Sequence, residues 1–243
     1  MKVEVCVETL EQALLAQELG VDRIELCANL LQGGLTPSIA AIESAVKRLQ
    51  LKVYVLIRPR AGHFCYNHLE MQQMLSNIRW CKKMAVDGVV VGALQKDGRI
   101  DRVKTARLIA AARPMKVTFH RAFDRCVNPF EALDQLIDMG VDRLLTSGQN
   151  KSAFEGKDLI KTLVLRAKNR ILIMPGAGIN ASNIHELAHH TQANEFHFSV
   201  GKAKVSSAVY QHPSFDPQSY LAPRFDRKKL VDCMTVLNEI SPR

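Results

Sequence analysis

One eight-residue phrase recurs along this chain. LGVDRIEL at 19–26 returns as MAVDGVVV at 84–91 and as MGVDRLLT at 139–146, with a weaker copy, ANEFHFS, at 193–199. Each copy reads as a helix end, a tight turn and the opening of a short apolar strand. Successive copies stand far enough apart to hold two strand–helix units. Four further strand-like runs, at 3–7, 51–57, 115–119 and 171–174, fill the gaps. Short strands that are apolar on both faces suit a parallel sheet covered by helices.

Helical patterns lie between the strands. Thr36-Pro37-Ser38 opens one, with Thr36 as the cap and Pro37 in the first turn. Asn128-Pro129-Phe130-Glu131 opens another, with the acid spaced for a capping box. Further helices are expected at 69–84, 103–112, 159–167, 184–190 and 230–240. Eight strands alternating with eight helices in 243 residues predict an α/β fold, a single (β/α)8 barrel of the TIM type over 1–243. The stretch 201–223 lacks periodicity and is expected to be a long loop before the last helix.

Composition narrows the function. The chain is 47% hydrophobic and 23% charged, so it can bury a large core. No apolar run reaches the ~20 residues of a membrane helix, and Glu4 stands where a signal peptide would be apolar. Six cysteines without regular spacing read as reduced thiols in a cytosol. The formal net charge is +9, but the basic residues are scattered, and only one Trp and four Tyr could stack on bases. Nucleic acid is therefore not an expected partner. Asp-Arg pairs such as Asp22-Arg23 and Asp142-Arg143 read as solvated loop ends.

In such a barrel the chemistry gathers at the C-terminal strand ends. Alternation puts Glu4 with Cys6 on one face of the first strand and Glu25 with Cys27 on one face of the second. Turned inward, two carboxylates and two thiols would meet, with Arg58, His120 and His197 available as partners. They could form a closed salt-bridge network, or Cys6 and Cys27 could hold a soft metal such as Cu(I); buried cysteines also serve as small hydrophobes. An anion site is a further expectation. It would use Arg58 and Arg60 and the free backbone donors of Gly176, Gly178 and Gly201, with a second donor set at 33–38. HELAH at 185–189 matches a zinc-protease pattern, but it falls on an outer helix without a third ligand and is expected to be a chance match.

Taken together, EVC (4–6), RIELC (23–27), GGLTPS (33–38), IRPR (57–60), VTFHRAFD (117–124), LTSG (145–148) and EFH (195–197) resemble the CutC family of copper homeostasis proteins. The resemblance runs from residue 3 to about residue 200. It implies a barrel, a cytoplasmic location, a homo-oligomer (dimer or tetramer), and copper handling through cysteines matching Cys6 and Cys27. One loop departs from the family's Arg-Pro-Arg-Gly-Gly-Asp-Phe: Ala61 and His63 stand in it, so an imidazole replaces an acid at the mouth. Two readings stay open. One is a cytosolic Cu(I) binder or buffer. The other is a barrel enzyme acting on a small anionic or phosphorylated substrate, with Glu25 and His120 as acid/base candidates and the two arginines holding the anion.

Overall fold

The computed structural model describes residues 1–204, 210, 212–214, 216 and 222–240. The chain runs β1 (Lys2–Val7), α1 (Leu10–Glu18), β2 (Arg23–Leu26), α2 (Ile39–Arg48), β3 (Lys52–Leu56), α3 (His68–Lys83), β4 (Gly88–Val91), α4 (Arg102–Ala112) and β5 (Lys116–Phe119). It continues through α5 (Pro129–Asp138), β6 (Arg143–Thr146), α6 (Lys157–Ala167), β7 (Leu172–Pro175), α7 (Ile184–Thr191), β8 (Glu195–Ser199), β9 (Gly201–Lys204), β10 (Ala222–Phe225) and α8 (Arg227–Ile240). Strands β1–β8 form one parallel sheet in the order β7-β6-β5-β4-β3-β2-β1-β8, and a parallel bridge from Gly176 to His197 joins its two edges. The result is the expected (β/α)8 barrel.

The recurring phrase has a physical reason. Its turn residue takes a left-handed backbone at Gly20, Ala85 and Gly140, and the next valine is buried (Val21, Val86, Val141). The following aspartate then reaches back to the neighbouring odd strand. Asp22, Asp87 and Asp142 accept the backbone N–H of Val3, Val53 and Val117 at 2.8, 2.9 and 2.9 Å. The phrase is thus a clamp that ties β2, β4 and β6 each to the odd strand before it, while the weaker fourth copy, before β8, has Asn194 in place of the aspartate.

Several local details differ from expectation. Ser38, not Thr36, caps α2 by accepting from Ala41 N–H. Thr36 instead uses its hydroxyl on the backbone of Arg58, which donates its N–H at 2.8 Å. Asn128 caps α5 with Pro129 in the first turn, but the Glu131 carboxylate accepts from Gln135 and does not close a box. A full capping box occurs at Asn67 and Glu70, opening α3. The stretch 201–223 begins and ends in strand, since β9 and β10 pair antiparallel with Gly201 opposite Phe225. Residues 205–209, 211, 215 and 217–221, between those strands, lie outside the described residues.

Candidate functional site

The barrel interior is built in layers, and the lowest relevant one is ionic. Arg23 and Arg143, expected at solvated loop ends, are instead buried inside the barrel. The period-2 rule explains this: Arg23 shares the inward face of β2 with Glu25. Arg23 ion-pairs with Glu4 and, at 2.9 Å, with Glu195. Arg143 reaches the same Glu195 at 2.5 Å and lies near the Thr118 hydroxyl. Both guanidinium groups stack on the ring of Tyr54, at 4.9 and 5.5 Å from its centroid. That ring in turn lies where a Cβ on Gly88 would stand, 2.6 Å away. With Met174, whose sulfur lies 3.4 Å from Arg23 Nη2, one residue from each of the eight strands enters this layer.

Above it sit the predicted carboxylates and thiols. His197 donates from Nδ1 to Glu4 Oε1 at 2.8 Å and turns Nε2 toward Glu25 Oε2 at 3.7 Å. Burial raises the Glu4 pKa, but Arg23 and the His197 hydrogen bond override it and hold the carboxyl down at about 2. Glu25 faces less positive charge, so burial and the neighbouring Glu4 charge push it up to about 7 despite His197. For His197, burial is outweighed by its bonds to Cys6 and Glu4, and the imidazole stays protonated well above its ordinary range. Ligand atoms of Glu4, Glu25 and His197 lie within 4.8 Å of one another, the one such metal-sized trio among the described residues. Chemically, the arrangement is an imidazolium oriented by one carboxylate and facing a second that titrates near neutrality.

Cys6 and Cys27 flank this trio in a small apolar cluster with Tyr54, Leu56 and Val90. Both are free thiols and buried. Cys6 Sγ–H donates to the Phe198 carbonyl at 3.4 Å and Cys27 Sγ–H to the Glu25 carbonyl at 3.7 Å. Burial, reinforced by the Glu25 charge, pushes the Cys27 thiol well above its ordinary range.

The upper rim separates the remaining candidates. His120 is not beside Glu25: its ring packs on Phe64 at 4.8 Å between centroids and fills the space a Cβ on Gly92 would need. Its Nδ1 accepts from Ala122 N–H, which places the ring proton on Nε2. Arg58 gives its Nη groups to the carbonyls of Gln32, Gly34 and Gly62. Arg60 is engaged by the Glu70 carboxylate at 2.5 Å and by the carbonyls of Ala61, His63 and Cys65. His63 sits within that belt, its Nδ1 accepting from Cys65 N–H.

The expected free backbone donors are partly used. Gly176 donates to Thr146 O at 2.9 Å, and Gly33 and Gly34 donate to Leu30 and Asn29. Gly178 takes a left-handed backbone tight against Ser152. Gly201 stands apart in the β9–β10 hairpin. On α7, His185 and His189 are exposed, and Glu186 is paired with Lys157.

The family model described as CutC matches residues 1–202. The chain belongs to the CutC family. It is 42% identical over 241 residues to a mouse protein named copper homeostasis protein cutC homolog, covering 98% of this chain and 89% of that one. A CutC family protein of Pasteurella multocida (strain Pm70) is 48% identical over 210 residues, 86% of each chain. The solved CutC protein of Streptococcus agalactiae is 34% identical with a TM-score of 0.78, covering 81% of this chain and 97% of that one. A thiamine phosphate pyrophosphorylase from Pyrococcus furiosus, 14% identical with a TM-score of 0.61, shares the barrel alone. The CutC match ends at residue 202, where β8 has given way to the hairpin, so every side chain of the three layers lies inside it.

Sequence reasoning passed over Arg23, Arg143, Glu195 and Tyr54. The missed signal was alternation carried one step further down each strand: Arg23 is two before Glu25, and Glu195 is two before His197.

Proposed function

We propose that this protein serves in copper homeostasis by holding one Cu(I) ion between Cys6 and Cys27, as a cytosolic binder or buffer. The observation that carries this reading is the pair of reduced thiols that neighbouring strands bury in one apolar cluster. Two soft sulfur donors in a dry setting suit Cu(I), for which two-coordination is enough, and disfavour hard cations. The names of the mouse and human relatives point the same way. Cu(I) is held by thiolate sulfur, so loading displaces the Cys27 proton that burial retains, and the neighbouring His197 cation offsets the negative charge of a bis-thiolate complex. Anaerobic titration of Cu(I) against a chromophoric chelator tests it. One ion per chain is expected in the wild type and in Cys81→Ser, and none in the Cys6→Ser/Cys27→Ser double variant. Equal stoichiometry in the double variant would overturn the reading.

A second reading, a barrel enzyme, rests on the Glu4–His197–Glu25 chain. A histidine oriented by one carboxylate and facing another whose pKa is near 7 is the arrangement a proton-transferring site requires. Here His197 replaces His120 as the partner of Glu25. Glu25→Gln separates the two readings: it removes the titrating group and leaves both sulfurs, so Cu(I) stoichiometry persists under either. Only the enzyme reading expects that variant to lose turnover, scored by comparing wild type and Glu25→Gln for conversion of metabolites in a cell extract.

A further inference from the structure

Among the described residues, the rim of the barrel carries three buried polar atoms without a well-aligned hydrogen-bond partner: Arg58 Nε, His120 Nε2 and the Tyr66 hydroxyl. Phe64 gathers two of them. Its ring lies 5.2 Å from the Arg58 guanidinium carbon and packs directly on His120. Arg58 and the Tyr66 hydroxyl face each other closely enough for a weak side-chain hydrogen bond in which the phenol oxygen accepts and its own proton stays free, and Arg58 acts electrostatically on His120. Buried polar groups are paired in the great majority of cases, so three poorly paired ones at one rim call for an explanation.

All three present a proton. Arg58 cannot lose its charge. Tyr66, with its pKa pushed up to about 12 by burial, keeps its hydroxyl proton. His120 stays neutral because burial and Arg58 disfavour its charged form, and the Ala122 N–H on Nδ1 commits its proton to Nε2. The Nη groups of Arg58 are already fixed on backbone carbonyls, which leaves the Nε edge as the free one. Two more cations stand at the border: Arg125 over Phe64 at 5.4 Å and Arg60 over the Tyr66 ring at 5.4 Å. Donors without acceptors, under a positive potential, are complementary to an oxyanion.

We propose that Arg58, His120 and Tyr66 form an oxyanion-binding site, taking the carboxylate or phosphate oxygens of a small ligand. The site is distinct from the thiol pair and from the Glu4–His197–Glu25 chain. The three atoms are closed off from solvent, so entry requires the tip of the β3–α3 loop round Gly62 to move, releasing the Gly62 carbonyl from Arg58. Gly62, with a φ of +88° and open space round its α-carbon, is the pivot available in that loop.

Tyr66→Phe is the informative variant, because it deletes only a hydroxyl whose proton has no acceptor. Calorimetric titrations with inorganic phosphate and with malonate, in wild type, Tyr66→Phe and Cys6→Ser/Cys27→Ser, test the proposal. The wild type is expected to bind one of the two anions at one per chain, and the preferred probe tells phosphate from carboxylate. Tyr66→Phe should bind about tenfold more weakly, the scale of one lost hydrogen bond, while its thermal midpoint stays level or rises. The cysteine double variant should bind the anion as the wild type does, which keeps this result separate from the copper reading. No binding of either anion, equal affinity in Tyr66→Phe, or a lowered midpoint in that variant would each overturn the site.

Discussion

At the scale of single residues, His120 and His197 show how position decides what one side chain does. Both are buried at the C-terminal end of the barrel. His197 faces two carboxylates and is held protonated. His120 faces Arg58 and an aromatic ring, and burial together with that cation lowers its pKa to about 3. An unfolded histidine takes up its proton near pH 6.5, whereas the folded His120 resists until about pH 3. The stability it supports is therefore complete above pH 6.5 and drains away as pH falls through that window. Nitrogen-15 NMR should show His120 as the neutral Nε2–H tautomer at pH 5, and His120→Gln should flatten the acid limb of the stability profile. A midpoint near 6.5 for this ring would contradict the burial argument. The inward set Glu4, Cys6, Glu25 and Cys27 was legible from alternation alone. Its pairing was not: whether Glu25 meets His120 or His197 depends on which strands adjoin, and β8, the last barrel strand in the chain, returns to pair with the first, β1.

Among the elements, the aspartate clamps deserve the most direct test. Asp142 is the richest: besides Val117 N–H it takes Arg113 and Lys116, each at 2.8 Å. Although burial opposes its charge, those bonds hold its pKa below the ordinary value. Asp142→Ala leaves a strand-opening N–H without its acceptor and should cost about 1–3 kcal/mol. Asp87→Ala, which removes an acceptor of Val53 N–H that has no ion pair among the described residues, should cost less. Urea denaturation midpoints of the two variants check the order, and a reversed order would show that the ion pairs add nothing. The repeated phrase made the barrel readable because its turn and its aspartate are local chemistry. The ends of 201–223 escaped because two four-residue strands, β9 and β10, stabilise each other across the chain and carry no periodicity of their own.

For the molecule as a whole, the ionic layer is the unusual choice. A barrel of this type ordinarily fills its interior with branched apolar side chains, whereas here two arginines share the Glu195 carboxylate and stack on one tyrosine. Removing the shared anion strands two buried cations, so Glu195→Ala should destabilise by about 3–5 kcal/mol. Replacing Tyr54 by Leu removes packing without stranding charge and should cost no more than about 4 kcal/mol. Guanidinium unfolding of both variants provides the comparison, and a Glu195→Ala protein as stable as wild type would mean that solvent reaches this layer. The same layer has a consequence for traffic. With eight strands meeting round Tyr54, the barrel axis is floored at this depth, and the groups above the floor can be reached only from the C-terminal end. An ion or molecule held above that floor must leave by the door it entered, so loading and unloading cannot overlap. On the proposed copper reading, any recipient has to come to that same end of the barrel, so transfer is a hand-off at the lip and not a passage through the axis.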